Sequence, residues 1–184
     1  MKKIISAAAV SLLLSGAAIA QTQQPAAGTA PAAPATSAAP AAPAMNVDTP
    51  TFVQMAASSN MFEIESSKLA EEKSENDDIE EFAEQMIEDH TKAGEEMKAA
   101  AGDMPEPKLA PKHAAMIEQL RGVEGADFDA QYLDMQAQAH VEAVTLFTNY
   151  SQSGDDEKLV AFAKKTLPTL QMHEEHVKKI VAAQ

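Results

Sequence analysis

Four side chains in this sequence could share one piece of chemistry. Glu63, His90, His140 and His173 stand far apart along the chain, each inside a separate stretch with helical periodicity. Carboxylate and imidazole are ligands for zinc, iron, manganese, nickel or copper, and the interior of a helical bundle is a usual place for such a site. A buried charge or imidazole needs a partner, so four such groups turned inward could satisfy one another around a divalent ion. The competing account is four packed residues, each bonded to a nearby hydroxyl such as Ser59, Ser66, Thr166 or Tyr132. Other chemistry lacks its residues. There is no glycine-rich phosphate loop, no serine–histidine–aspartate order and no acid pair in an arguable cleft, so no catalytic residue and no organic cofactor site is expected.

Height along the helices tests the metal reading. Glu63 falls about ten residues, His90 about thirteen and His140 about twelve from the nearest turn, which puts them at one level at ~1.5 Å per residue. His173 falls about eighteen residues from its turn and would miss the others by roughly 8 Å in ideal helices. A bend at Pro168 recovers part of that distance. Without it, His173 belongs to another layer, near Tyr132 or Asp134. His176 sits at the edge of its stripe and reads as a surface or outer group. His113 reads as solvated, and Asp89 as an exposed carboxylate rather than a ligand. Methionine thioethers beside imidazole would suit Cu(I). Yet Met55, Met86, Met97 and Met135 fall on core stripes, where methionine fills gaps.

The elements that must hold these groups are helices. From residue 48 onward Glu, Lys, Ala, Met and Gln dominate, all good helix formers, and apolar residues recur every three or four positions. One helix opens at Asp48 or Thr49, with Pro50 in its first turn, and runs to about Lys73. A second follows Ser74–Asp77 and runs to about Ala101, with Ile79, Phe82, Met86, His90 and Met97 on its stripe. The segment "GDMPEPKLAP" is a loop of turn formers. A short helix covers 111–121. A third long helix runs from about Asp127 to Ser151, and a fourth from about Asp156 to Ala182. Short turns between long helices favour an all-α, antiparallel up-down-up-down four-helix bundle, with a short extra helix between helices two and three.

The remainder of the chain sets the compartment. Residues 1–20 carry Lys2 and Lys3, an apolar run and Ala18-Ile19-Ala20, the three parts of a signal peptide cut after Ala20. Residues 21–47 form an Ala/Pro-rich disordered linker, and 48–184 the bundle domain. The expected location is the periplasm or outside the cell. The chain has no cysteine, hence no disulfide, no thiolate ligand and no lipid-modified cysteine. Loss of Lys2 and Lys3 leaves 12 basic against 28 acidic residues, a net charge of −16. Such a surface repels nucleic acid and anionic lipid and attracts cations. No segment after the signal is long and apolar enough to insert into a membrane.

"SSNMFEIESSKLA" (58–70), "MIEDHTKA" (86–93), "FDAQYLDMQAQAH" (128–140) and "TLPTLQMHEEHV" (166–177) resemble domain of unknown function 4142, a bacterial family grouped with the ferritin-like bundles. The resemblance covers about residues 48–182 and is carried by Asp89-His90, Phe128-Asp129, Tyr132, His140, Leu167-Pro168 and His173. It implies a ferritin-like, exported bundle and no particular activity. True ferritin-like di-iron proteins use Glu-x-x-His on two helices. Here the residue three before each histidine is Ile87, Ala110, Ala137, Leu170 or His173. A di-iron centre is therefore not expected, and any site should be mononuclear and histidine-rich. Three functions follow: a periplasmic metal-binding bundle for buffering, sensing or envelope stress; a non-catalytic structural or interaction module without metal; and a redox enzyme with an open coordination position, the least favoured.

Overall fold

The computed structural model describes residues 47–184. The signal peptide expected over 1–20, and all but the last residue of the linker expected over 21–47, lie outside the described residues. Five helices follow in order: α1 Thr49–Lys73, α2 Asp77–Ala101, α3 Pro111–Arg121, α4 Gly125–Ser153 and α5 Glu157–Ala183. Among the described residues there is no strand, and no helix is long and apolar enough to cross a membrane.

Local chemistry sets the helix starts. The Asp48 carboxylate accepts from the Thr51 amide at 2.9 Å, and Pro50 needs no partner in the first turn. Asn76 caps α2 through the Asp78 amide at 3.0 Å, and Asp77, Asp78 and Glu80 place negative charge at the positive end of the helix. Asp156 accepts from the Lys158 and Leu159 amides, both at 2.9 Å, to start α5. Gly102 ends α2 with φ of +61°, a conformation that costs a side chain but not glycine. Helix α4 extends two residues beyond the expected span at each end. Helix α5 continues through Pro168.

The four long helices close a ring: α1 packs on α2 and α4, and α5 packs on α2 and α4. Helix α3 lies against α1 and α4. Two apolar clusters fill the interior. One gathers Phe52, Val53, Phe147, Tyr150, Leu159 and Phe162. Phe52 stacks on Tyr150 with ring centres 3.8 Å apart and meets Phe147 edge-on at 5.2 Å. The other gathers Ile79, Phe82, Met86, Phe128, Tyr132 and Val177. There the Tyr132 hydroxyl finds Ser67 Oγ at 2.9 Å, which removes the cost of burying it. A small third cluster, Phe62, Ile117 and Ala139, lies under α3. Of the methionines expected in the core, Met86 and Met97 are buried, whereas Met55 is 47% exposed. Its position on α1 falls just outside the face that the neighbouring helices cover.

Candidate metal centre

On each long helix, one buried metal-capable residue lies between the stretches that feed the two main clusters: Glu63 on α1, His90 on α2, His140 on α4 and His173 on α5. All four are at least 97% buried. The three imidazole rings converge. Ring centres are 5.8 Å apart for His90 and His140, 5.4 Å for His90 and His173, and 5.5 Å for His140 and His173. One nitrogen from each ring lies within 4.8 Å of those from the other two.

The second nitrogen of every ring is taken. His140 Nδ1–H donates to the Gln136 carbonyl oxygen at 2.8 Å, one turn back on its own helix. His173 Nε2–H donates to Asp89 Oδ2 at 2.9 Å. His90 Nδ1–H faces Asn60 Oδ1 and Glu63 Oε2, each at 3.1 Å. What remains is His90 Nε2, His140 Nε2 and His173 Nδ1, and none has a hydrogen-bond partner. A neutral imidazole that donates through one nitrogen carries a lone pair on the other. Each of the three rings thus carries a buried lone pair with nothing to receive it, at a cost of about 1–3 kcal/mol each.

Charge states agree with that picture. Burial holds His90 well below the usual histidine range, helped by repulsion from His140 and His173. Burial lowers His140 to about 4, against the pull of the Gln136 carbonyl. His173 is lowered by burial too, although Asp89 opposes it. All three rings are neutral at neutral pH, the form that binds metal. Burial raises Glu63 to about 8, with a hydrogen bond from Ser59 acting the other way. Its Oε1 is buried and without a partner.

The structure therefore brings together all four residues singled out in the sequence, but in unequal positions. Glu63 is not part of the triad. Its oxygens lie 3.1 Å from His90 Nδ1 and 4.0 Å from His140 Nδ1, the nitrogens opposite the orphaned ones. His173, expected about 8 Å off level, is inside it. The helix ends explain part of the difference. His140 stands 13 residues before Ser153, and His173 stands 16 after Glu157, an offset of about three residues or ~4.5 Å. Cα–Cβ bonds tilt toward each helix N-terminus. That tilt carries His173 toward the α4–α5 turn and His140 away from it, and the rings meet.

Three supporting residues were not read from the sequence. Asp89, expected as a free exposed carboxylate, keeps 32% of its side chain exposed yet holds His173 from the neighbouring helix. Asn60 and the Gln136 carbonyl hold the other two rings. Only the Asp89-His90 adjacency hinted at any of them. His113, expected to be solvated, is half-buried: its Nδ1 meets Ser58 Oγ at 2.7 Å and its ring stacks on Phe62 at 5.3 Å. His176 is the outer group expected, with Nδ1 3.3 Å from Gln85 Oε1 and its ring edge-on to Phe82. Two of the four hydroxyls that could have satisfied the triad are used elsewhere. Ser66 donates to the Phe62 carbonyl and accepts from Gln136, and Tyr132 pairs with Ser67.

Comparison with known proteins agrees with the helical architecture. The model of the family described as Domain of unknown function (DUF4142) matches residues 33–180, and the chain belongs to that family. A solved structure, CopM in the Cu(II)-bound form, is similar with a TM-score of 0.62 and 17% sequence identity. The match covers 73% of this chain and 96% of that one, and at this identity it establishes likeness of fold. No curated protein matches the chain.

Proposed function

We propose that this DUF4142 protein is an exported metal-binding bundle that holds one divalent transition-metal ion through His90, His140 and His173. The single observation that carries the reading is the orphaned nitrogen on each ring, with the opposite nitrogen of each already bonded outward. Metal-ligating histidines typically donate their other N–H to a carboxylate or a backbone carbonyl, which fixes the tautomer and the ring orientation. Asp89, Gln136, Asn60 and Glu63 supply those acceptors here. Glu63 orients His90 in this reading. An ion at the centre would receive three lone pairs that otherwise stay desolvated and unpaired.

Three imidazoles suit copper, zinc, nickel or iron, and the affinity order of divalent ions favours copper. The Cu(II)-bound form of the similar CopM structure supports the same choice. The net charge of −16 left after removal of the signal would draw cations to the surface. Buffering copper or zinc in the envelope is the role that fits, with export through residues 1–20 and the linker as a tether. The finer topology belongs to this reading as well. Helix pairs α1–α2 and α4–α5 are joined by only three residues each, 74–76 and 154–156, which supports a ferritin-like, antiparallel up-down-up-down order. A di-iron centre is not supported, because the triad carries no Glu-x-x-His.

Titration of the purified chain with Cu(II) and Zn(II), followed by elemental analysis, tests the assignment. One ion per chain is expected, with loss of at least about a hundredfold in affinity in the His90→Ala, His140→Ala double variant. Stoichiometric binding that survives the double substitution would overturn the site.

A further inference from the structure

Between α1, the end of α2 and the loop that follows lies a cleft of about 330 Å³. Three of the ten methionines line it, one from each element: Met61 from α1, Met97 from α2 and Met104 from the loop. It reaches solvent where the exposed Lys98, Gly102 and Glu106 line it. Methionine in a core ordinarily fills an irregular gap. Here three methionines border a gap that they leave open. Met97, 7% exposed, belongs to the Phe52 cluster, and Met104 packs against the same cluster.

The helices turn two of these side chains toward each other. Asn60 lies against Gly94, where a Cβ would come 3.0 Å from its side-chain nitrogen, and this contact sets the relative height of α1 and α2. Met61 stands one residue beyond Asn60, and Met97 three beyond Gly94. With the two helices antiparallel, their Cα atoms are offset by about four residues, or ~6 Å. Side chains lean toward the N-terminus of their own helix. Met61 therefore leans up and Met97 down, into the gap between them. The other donors of the lining are poor ones for a hard cation. Asn60 has its oxygen on His90 at 3.1 Å, and Glu106 is the single carboxylate, with the opposite charge of Lys98 at the same rim. What remains is a set of neutral, polarizable thioethers, the ligand type that selects Cu(I).

We propose that this cleft is a second metal site, at which Met61, Met97 and Met104 take one soft monovalent ion, Cu(I). It goes beyond the histidine reading and shares no ligand with it. The triad offers buried imidazoles to a divalent ion, whereas the cleft offers thioethers within reach of solvent.

The test uses the full chain with carbon-13 methionine methyl groups, titrated with Ag(I) as a redox-inert soft ion and followed by NMR. The methyl signals of Met61, Met97 and Met104 are expected to move together and to saturate at one ion. Met55 and Met172, 47% and 46% exposed, should stay in place and serve as internal controls. Cu(I) kept reduced with ascorbate should give the same pattern. Leucine replaces methionine at similar volume, so Met61→Leu, Met104→Leu should fold and weaken the ion by roughly tenfold or more. Met104→Leu alone, in the loop, serves if the double variant does not fold. Unmoved signals from the three residues, equal movement of Met55 and Met172, or unchanged affinity in the leucine variants would overturn the site. Shifts with Ag(I) but none with Cu(I) would overturn the copper assignment. The His90→Ala, His140→Ala protein separates the two readings. It should lose its divalent ion and keep the methionine shifts, and loss of those shifts in the folded variant would overturn a separate cleft site.

Discussion

The core has two kinds of layer, and they behave as opposites. In the Phe52 cluster aromatic rings stack in direct contact, and the Tyr150 hydroxyl is engaged by Thr49. Nothing buried there is left wanting. In the histidine layer, Glu63 Oε1 and one nitrogen on each of three rings are buried without partners. The apolar layers stabilise the fold by removing hydrocarbon from water, at roughly 25 cal/mol per Å². The polar layer works against the metal-free fold and is tolerated because those layers flank it. Burial that costs stability and is held in one geometry by three hydrogen bonds is what the proposed metal site would require.

That contrast can be broken most forcefully at Phe52. Phe52→Ala should destabilise the protein by about 3–5 kcal/mol in urea unfolding while the folded fraction still binds one metal ion. Loss of metal binding under conditions where the variant remains folded would mean that the layers are not separable. His140→Leu attacks the other side. It should abolish metal binding and leave the metal-free protein as stable as before, or more stable by about 1–2 kcal/mol, because an orphaned polar group is replaced by an apolar one. A strongly destabilised His140→Leu protein would show that the triad is structural.

Asp89→Asn sharpens the comparison. It keeps an acceptor for His173 Nε2–H but removes the charge. Metal affinity should fall about tenfold, within the range typical for outer partners, while the metal-free melting temperature barely moves. An unchanged dissociation constant would remove Asp89 from the site. The smallest effect lies in pH. Glu63 is raised in the fold to about 8, so in the metal-free protein its contribution is present at low pH and is lost as pH rises from about 4.5 toward 8. The histidines are lowered, so their contribution is present above about 6.5 and is lost as pH falls toward the folded value, about 4 for His140. The two trends oppose. Glu63→Gln removes the first, and its metal-free stability should then drop between pH 7 and 5.5 more steeply than that of wild type. Parallel urea-unfolding profiles for the two proteins would show that Glu63 does not titrate in this range.

Much of this was legible in one dimension. Asp48, Asn76 and Asp156 announce helix starts through their own amide neighbours. The spacing of Ile79, Phe82, Met86 and His90 names an inward face because that period is a property of a single helix. Glu63, His90 and His140 could be put at one level by counting residues. The same counting misplaced His173, since it ignored the direction in which side chains leave a helix. Asn60 and Asp89 were missed because the histidines they hold belong to other helices, and Gln136 because it acts through its backbone carbonyl. Met55 and His113 were misjudged at the margins of a face, where a neighbouring helix decides exposure.

Composition, capping residues and apolar period determined by themselves that this chain is helical, which faces turn inward, and that three imidazoles and a carboxylate are among them. Only the tertiary structure decided which nitrogen of each ring is bonded and which is bare, that Asp89 reaches His173, and that Met61, Met97 and Met104 line one cleft. The reason is one of range. Caps and periodicity are satisfied within a few residues of chain, whereas the pairing of a ring nitrogen depends on the relative height and rotation of separate helices, which no single segment encodes.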